Sequence, residues 1–191
     1  MEMYVISYGY DASGRKTVET YPDGRSASFE YDTAGRLAAR TGAGGGRTSF
    51  AYDTAGRLSA ETDPKGNRTL YAYDAAGRLT TVTDAEGGVW NYSYTAGGLL
   101  ASIKDAKTNT TSFGYDLRNR LTAVTDPLSN ATRFEYDLAG RRTKLTKPTG
   151  EAVEYVYDAG DRITNIKSGP AQNVFTWSPD DLLLTAGTSF G

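Results

Sequence analysis

The sequence contains no cysteine and no histidine. Without thiols, disulfides, thiolate metal sites and cysteine nucleophiles are excluded. Without imidazole, the commonest general base and metal ligand near neutral pH is missing as well. No apolar run approaches the roughly 18 residues that a membrane helix needs. The start, MEMYVISYGYD, has neither the basic segment nor the apolar core of a signal peptide. Charge of one sign is also lacking: Lys plus Arg number 21 and Asp plus Glu 23, for a net of −2. No basic stripe is available for nucleic acid or for a membrane surface. The expectation is a protein with no cofactor, no nucleic-acid partner and no membrane insertion.

What the chain does hold is glycine, at 22, and tyrosine, at 14 in 191 residues. The tyrosines are placed with a fixed period. YDTAGRL stands at Tyr31–Leu37, again at Tyr52–Leu58, and as YDAAGRL at Tyr73–Leu79. The column runs Tyr10, Tyr31, Tyr52, Tyr73, Tyr94, Tyr115, Tyr136, Tyr157, every step being 21 residues. Trp177 occupies the place in a ninth, degenerate copy over about 173–191, one residue early. A second aromatic precedes each by two residues, from Tyr8 and Phe29 to Phe175. A looser second motif recurs, as in Thr62-Asp63-Pro64-Lys65-Gly66-Asn67 and Thr125-Asp126-Pro127-Leu128-Ser129-Asn130. The nine copies fill residues 1–191 as one array, with no linker and no second domain.

Aromatic–x–aromatic has period two, so in a strand both rings face one side. Thr, Val and Tyr favour extended structure, and Gly or Pro recurs too often for helix. In D-x-x-G, the Asp can accept backbone N–H groups while Gly takes positive φ. Asn119 stands where that glycine is missing, and Asn is the next best residue for this conformation. In D-P-x-G-N, Pro presets φ and Gly closes the turn. Two turns in 21 residues leave two strands, so the chain reads as an all-β run of hairpins with up to about eighteen antiparallel strands. A sheet that wide must coil or close on itself. Leu79 and Val82 have opposite parity, which calls for a bulge between them or for apolar contacts on both faces.

Seven copies carry Asp after the ring and Arg four residues on. They are Asp11 with Arg15, Asp32 with Arg36, Asp53 with Arg57, Asp74 with Arg78, Asp116 with Arg120, Asp137 with Arg141, and Asp158 with Arg162. The two exceptions lose both residues at once, as Thr95 with Leu99 and Ser178 with Leu182. Joint loss implies an ion pair within or between neighbouring turns that fixes each turn and stacks one copy on the next.

YDxxGRL at this spacing, followed by T-D-P-x-G-N, closely resembles the YD repeat of the Rhs family, over essentially the whole chain. The resemblance implies a strand-turn-strand sheet spiralling into a hollow shell. Such shells occur in Rhs toxins and in the C components of insecticidal toxin complexes, where they enclose a toxic C-terminal polypeptide. Related repeats occur in wall-associated proteins and teneurins. Asp63-Pro64-Lys65-Gly66 is an ordinary repeat turn, not the Rhs self-cleavage region, and no variable C-terminal domain follows. The resemblance therefore implies a portion of a shell, secreted or at the cell surface of bacteria as part of a longer exported protein.

Other candidate sites yield to simpler readings. Gly187-Thr188-Ser189-Phe190-Gly191 fits G-x-S-x-G, but a nucleophile elbow needs a following helix and a histidine base. The Asp column suggests calcium only until its Arg partners are counted, since they compete with a cation. The rings read first as packing, worth about 0.5–1.5 kcal/mol per ring pair beyond area burial. Their second reading is a platform for sugars or an unfolded polypeptide, with Trp90 and Trp177 the better candidates for a local surface role. The resulting expectation is a non-enzymatic structural protein whose partners are a polypeptide cargo or neighbouring repeat segments. The alternative is a surface module that binds carbohydrate or wall polymer. Uncapped ends also imply self-association through the terminal strands.

Overall fold

The structure, a computed structural model, describes residues 5–190. Eighteen strands and no helix occur among them. The chain divides into two units, Met1–Asn91 with Asp105–Lys107, and Tyr92–Lys104 with Thr108–Gly191. The first holds β1 (Ser7–Tyr10), β2 (Lys16–Thr20), β3 (Ser26–Tyr31), β4 (Leu37–Thr41), β5 (Arg47–Tyr52), β6 (Leu58–Thr62), β7 (Arg68–Tyr73), β8 (Leu79–Thr83) and the start of β9 (Val89–Tyr94). The second holds the rest of β9 and then β10 (Leu100–Lys104), β11 (Thr110–Tyr115), β12 (Leu121–Thr125), β13 (Ala131–Tyr136), β14 (Arg142–Thr146), β15 (Ala152–Tyr157), β16 (Ile163–Ser168), β17 (Ala171–Trp177) and β18 (Leu183–Phe190).

Within each unit the strands pair antiparallel with their neighbours in sequence, as β6 does with β7 and β12 with β13. Strand contacts are confined to such neighbours, so each unit is a single layer. Neither unit coils back on itself, where the sequence reading had the sheet coil. About nine strands is within what an open sheet reaches before it must curl.

A single layer has two wet faces, and burial follows from that. The buried apolar residues are small: Ala27, Ala39 and Ala60. No large side chain is fully buried among the described residues. The rings therefore do not form an interior. Most are half-buried on one face, lying against their neighbours along the sheet.

The parity problem is solved by a bulge repeated in the hairpins. Tyr71 opposes Val82 and Ala72 opposes Thr81, but Tyr73 opposes Leu79, leaving Thr80 as the extra residue. The slip turns Leu79 to the same face as Val82, Tyr71 and Tyr73. Equivalent shifts occur at Tyr31, Tyr52, Tyr115, Tyr136 and Tyr157. Each copy whose hairpin register is described thus presents its two rings, its leucine position and its valine position on one ring face.

Both turn types share one backbone. At the first corner the Asp53 N–H donates to the Arg57 carbonyl at 2.9 Å and the Gly56 N–H to the Asp53 carbonyl at 3.0 Å. At the second, Asp63 and Asn67 with Gly66 repeat those bonds at 2.9 and 3.0 Å. This is the three-residue hairpin loop that needs left-handed backbone at its last position. Gly56 and Gly66 have φ of 82° and 88°. Asn119 takes that place at φ 63°, but so do Asp161 and Asp181 at 64° and 63°. Three first corners, not the single one expected, therefore lack glycine; in the eighth copy the nearby Gly160 masks the substitution.

Candidate functional site

The residues singled out in the sequence meet at the first corners. All seven Asp–Arg couples are ion pairs at 2.7 Å within their own turns. In each described case one carboxylate oxygen serves the backbone. Asp53 Oδ1 accepts the N–H of Ala55 and of Arg57, both at 2.9 Å, while Oδ2 accepts Arg57 Nε at 2.7 Å. These bonds hold the Asp carboxyls below their ordinary range. For Asp11, Asp32, Asp53, Asp74, Asp116 and Asp158 the backbone N–H of the paired Arg is the largest cause. For Asp137 it is the Arg141 side chain.

The two exceptional corners keep half of this arrangement. Thr95 Oγ1 accepts the Leu99 N–H at 3.1 Å, and Ser178 Oγ accepts the Leu182 N–H at 3.0 Å. A hydroxyl replaces the turn-closing oxygen, and with no second oxygen to offer there is no ion pair for an arginine to make.

The guanidinium also reaches the following copy. In the first unit Arg15 lies over Tyr31 at 4.7 Å, Arg36 over Tyr52 at 4.4 Å and Arg57 over Tyr73 at 4.6 Å. In the second, Arg120 lies over Tyr136 at 4.7 Å, Arg141 over Tyr157 at 4.8 Å and Arg162 over Trp177 at 6.0 Å. Nη1 of Arg57, Arg120 and Arg141 donates to the carbonyl of the next corner's Asp, at 3.0, 2.9 and 3.0 Å. Arg162 does the same to Ser178 at 2.8 Å. The ring returns a bond in the other direction: Tyr52 Oη donates to the Leu37 carbonyl at 2.8 Å and Tyr73 Oη to Leu58 at 2.9 Å.

These ties sit where the backbone ladder has stopped. Between β6 and β7 the pairing covers Ala60, Glu61 and Thr62 opposite Leu70, Thr69 and Arg68. Toward the first corners the strands carry no further pairing, and a peptide carbonyl left there needs a donor. The Tyr hydroxyl supplies it. Trp177 keeps the function in the degenerate copy, donating Nε1–H to the Ile163 carbonyl at 2.8 Å. It is thus tied into the ladder, while Trp90, opposite Val82, takes the ring-face place that Thr48 and Thr69 hold in earlier copies.

The ring face differs between the units. Its valine position holds Glu19, Arg40 and Glu61 in the first three copies. In the second unit it holds Ile103, Val124, Leu145 and Ile166. An apolar hollow there is lined by Ile163, Ile166, Phe175, Trp177 and Leu183. No cluster of three or more potential metal ligands occurs among the described residues. Gly187–Ser189 of the G-x-S-x-G match lie within β18, and Gly191 lies outside the described residues.

Comparison with solved structures gives the same fold. The crystal structure of TcdB2-TccC3 matches with a TM-score of 0.54 at 16% identity, over 97% of this chain and 13% of that one. TcdB2-TccC3 without its hypervariable C-terminal region matches with a TM-score of 0.52 at 16% identity, over 96% of this chain and 12% of that one. The likeness is one of fold, and this chain spans only that small share of those polypeptides. A comparison with curated proteins gives no match. The RHS Repeat family model matches five overlapping stretches, 31–69, 52–89, 73–110, 94–131 and 115–152. With a 21-residue unit closed by Asp–Arg corners and tied by Tyr and Arg to its neighbours, the chain belongs to the RHS repeat family.

Proposed function

We propose that this chain is a non-enzymatic wall segment of an Rhs-type shell, and that its ring face scaffolds another polypeptide. The observation that carries the reading is the tie between copies. Arg57, Arg120, Arg141 and Arg162 each grip their own corner, the next ring and the next carbonyl. That arrangement spends its arginines and tyrosines on holding a one-layer wall together, and leaves an apolar stripe along the second unit. The role of the Asp–Arg couples is accordingly structural: they set the corner and aim the guanidinium at the following copy. The carbohydrate reading is weaker, because six column rings are already covered by a guanidinium. A sugar would compete for the same ring faces.

The test titrates the chain with reduced, carboxymethylated α-lactalbumin, a permanently unfolded probe, and in parallel with a glycan panel. The wall reading expects micromolar-range binding of the probe, lost in Val124→Asp, and no selective glycan hit. Selective glycan binding with no binding of the unfolded probe would overturn it in favour of the surface module.

A further inference from the structure

The three first corners without glycine differ in what their left-handed residue holds. Asp161 Oδ1 accepts Nη1 of Arg141, from the copy before, at 2.7 Å, and Asp181 Oδ1 accepts Nη1 of Arg162 at 2.8 Å. In both, the same Nη1 also donates to the carbonyl of the corner's leading residue, Asp158 at 3.0 Å and Ser178 at 2.8 Å. The guanidinium then lies over the ring just before that residue, Tyr157 or Trp177. Ring, carbonyl and left-handed side chain together make a seat for one guanidinium.

The sixth copy has the same three groups: the Tyr115 ring, the Asp116 carbonyl and Asn119, whose φ is 63°. The copy before it supplies no guanidinium, because Leu99 stands in the arginine place. Among the described residues no cation lies over Tyr115, and no side chain donates to the Asp116 carbonyl or to Asn119 Oδ1. That Oδ1 faces the fifth corner: a Cβ placed on Gly97 would stand 3.9 Å from it and 3.7 Å from Thr95 Oγ1. Leu99 is half-buried where an arginine stem would lie, but it ends at Cδ, two bonds short of a guanidinium carbon. All of these residues belong to the second unit.

We propose that this seat takes an arginine side chain of a bound polypeptide. A guanidinium is flat, so it stacks on the ring while donating in its own plane to both oxygens. An ammonium is a compact point charge without that face. Both oxygens are neutral, so shape and donor geometry select the ligand more than net charge does. The neighbouring corner tips set its surroundings. Leu117 is fully exposed and Leu138 nearly so, at the position where the first five copies carry Ala12, Thr33, Thr54, Ala75 and Ala96. The arginine is therefore expected beside apolar residues. That the partner is a polypeptide rests on the wall reading above; the preference for a guanidinium does not.

The test titrates the full isotope-labelled chain with acetyl-Ser-Leu-Arg-Leu-Ser-amide and follows amide shifts. Versions with lysine or the neutral citrulline in place of the arginine run in parallel. Three contacts set against the cost of ordering a peptide make a weak site, in the millimolar range. The largest shifts are expected at Leu99, Asp116 and Asn119, with the lysine and citrulline peptides about fivefold weaker. Asn119→Gly keeps the left-handed corner that glycine forms in other copies and should weaken binding about threefold, the size of one net hydrogen bond. Thr95→Asp with Leu99→Arg fills the seat from within the chain and should abolish the shifts at Asp116 and Asn119. Conversely, Asp137→Thr with Arg141→Leu rebuilds the fifth corner at the seventh and should add a second set of shifts, at Asp158 and Asp161. A spectrum matching the unsubstituted chain away from the altered corner establishes the folding of each variant. The proposal is overturned if no saturable shift appears at these residues, if the citrulline peptide binds as well, or if Thr95→Asp with Leu99→Arg binds undiminished. Arginine-peptide binding at this corner without binding of unfolded α-lactalbumin would sink the wall reading alone; the reverse would sink the seat alone.

Discussion

The first and second corners of one repeat have the same backbone and different reach. At Asp53–Arg57 and at Asp63–Asn67 the leading Asp accepts two backbone N–H groups and a side chain four residues on. The glycine ahead of that side chain is left-handed in both. The difference lies in that last residue. Asn67 Nδ2 closes on Asp63 Oδ2 at 2.8 Å and can reach no further. Arg57 closes on Asp53 with Nε and still has Nη1 for the Asp74 carbonyl and a flat face for Tyr73. One corner closes only itself, whereas the other also holds its neighbour. That is consistent with the Asp and Arg of the first corner returning together in seven copies while the second motif drifts to Gly42–Gly46 and to Lys147–Glu151, where the ends exchange charge and pair at 3.0 Å.

Acid should break the comparison most heavily, because it acts on seven of the first corners at once. Seven first-corner Asp carboxyls are held below their ordinary range, against Asp23, Asp63 and Asp126 at the second corners. A carboxyl lowered by folding titrates first in the unfolded chain, near its unperturbed value of about 3.9. The stability it contributes is complete above that value and is lost as pH falls through the folded value. Urea midpoints followed by circular dichroism should therefore be flat from about pH 7 to 5 and drop steeply below about 4. Asp74→Asn should soften that drop. A profile with no acid limb would mean that the corner bonds contribute nothing to the folded state.

Single residues come next. Tyr73→Ala removes a half-buried ring, its hydroxyl bond to Leu58 and the seat of Arg57. Its expected cost is about 2–4 kcal/mol, below that of a fully buried aromatic. For a chain of this size that corresponds to roughly 5–10 °C in Tm. Pro64→Ala at the second corner gives up only preset φ, about 0.5–1 kcal/mol. Equal losses in differential scanning calorimetry would show that the ring ladder holds no more than an isolated turn.

Glycine tests the half of the comparison in which the corners agree. Gly56→Ala and Gly66→Ala each place a methyl on left-handed backbone, at about 1–2 kcal/mol. Nothing lies within 4 Å of the methyl at Gly66, while at Gly56 it meets Arg36 Nη1 at 3.4 Å. The two should therefore cost nearly the same, with the first corner slightly worse. A penalty at Gly56 several times that at Gly66 would mean that the corners differ in backbone after all.

The strands, the corners and the Asp–Arg couples were legible because each is local: a period of two, a turn signal, a spacing of four. The bulge was legible only as a conflict between Leu79 and Val82, since parity shows that something slips but not where. Tyr73 to Leu58 and Arg57 to Tyr73 were not legible. Those partners are 15 and 16 residues apart, and every copy has the same residues, so no spacing distinguishes a contact from mere recurrence. Asp161 was not legible because Gly160, one residue away, supplies the turn signal in its place. The half-buried state of the rings was hidden too, because burial depends on the number of layers and the repeat specifies only one.

The smallest effect offers the sharpest test, because it builds the missing tie instead of removing one. Thr95 and Leu99 form a first corner that has its backbone bond and no ion pair. Its successor ring, Tyr115, already bonds the Leu100 carbonyl at 3.0 Å. Thr95→Asp alone adds a carboxylate with no cation, and Leu99→Arg alone trades a half-buried leucine for a charge; each should be neutral or slightly destabilising. Together they recreate the couple found in seven other copies, with a guanidinium placed to cover Tyr115. The gain over additivity in a double-mutant cycle should be about 0.5–1 kcal/mol, the range of a partly exposed ion pair plus an exposed cation–π contact. Coupling of that size that vanishes in a Tyr115→Leu background would place the benefit in the reach to the next copy. Coupling that survives there would place it in the corner alone, and the first corners would then differ from the second only in chemistry, not in what they hold.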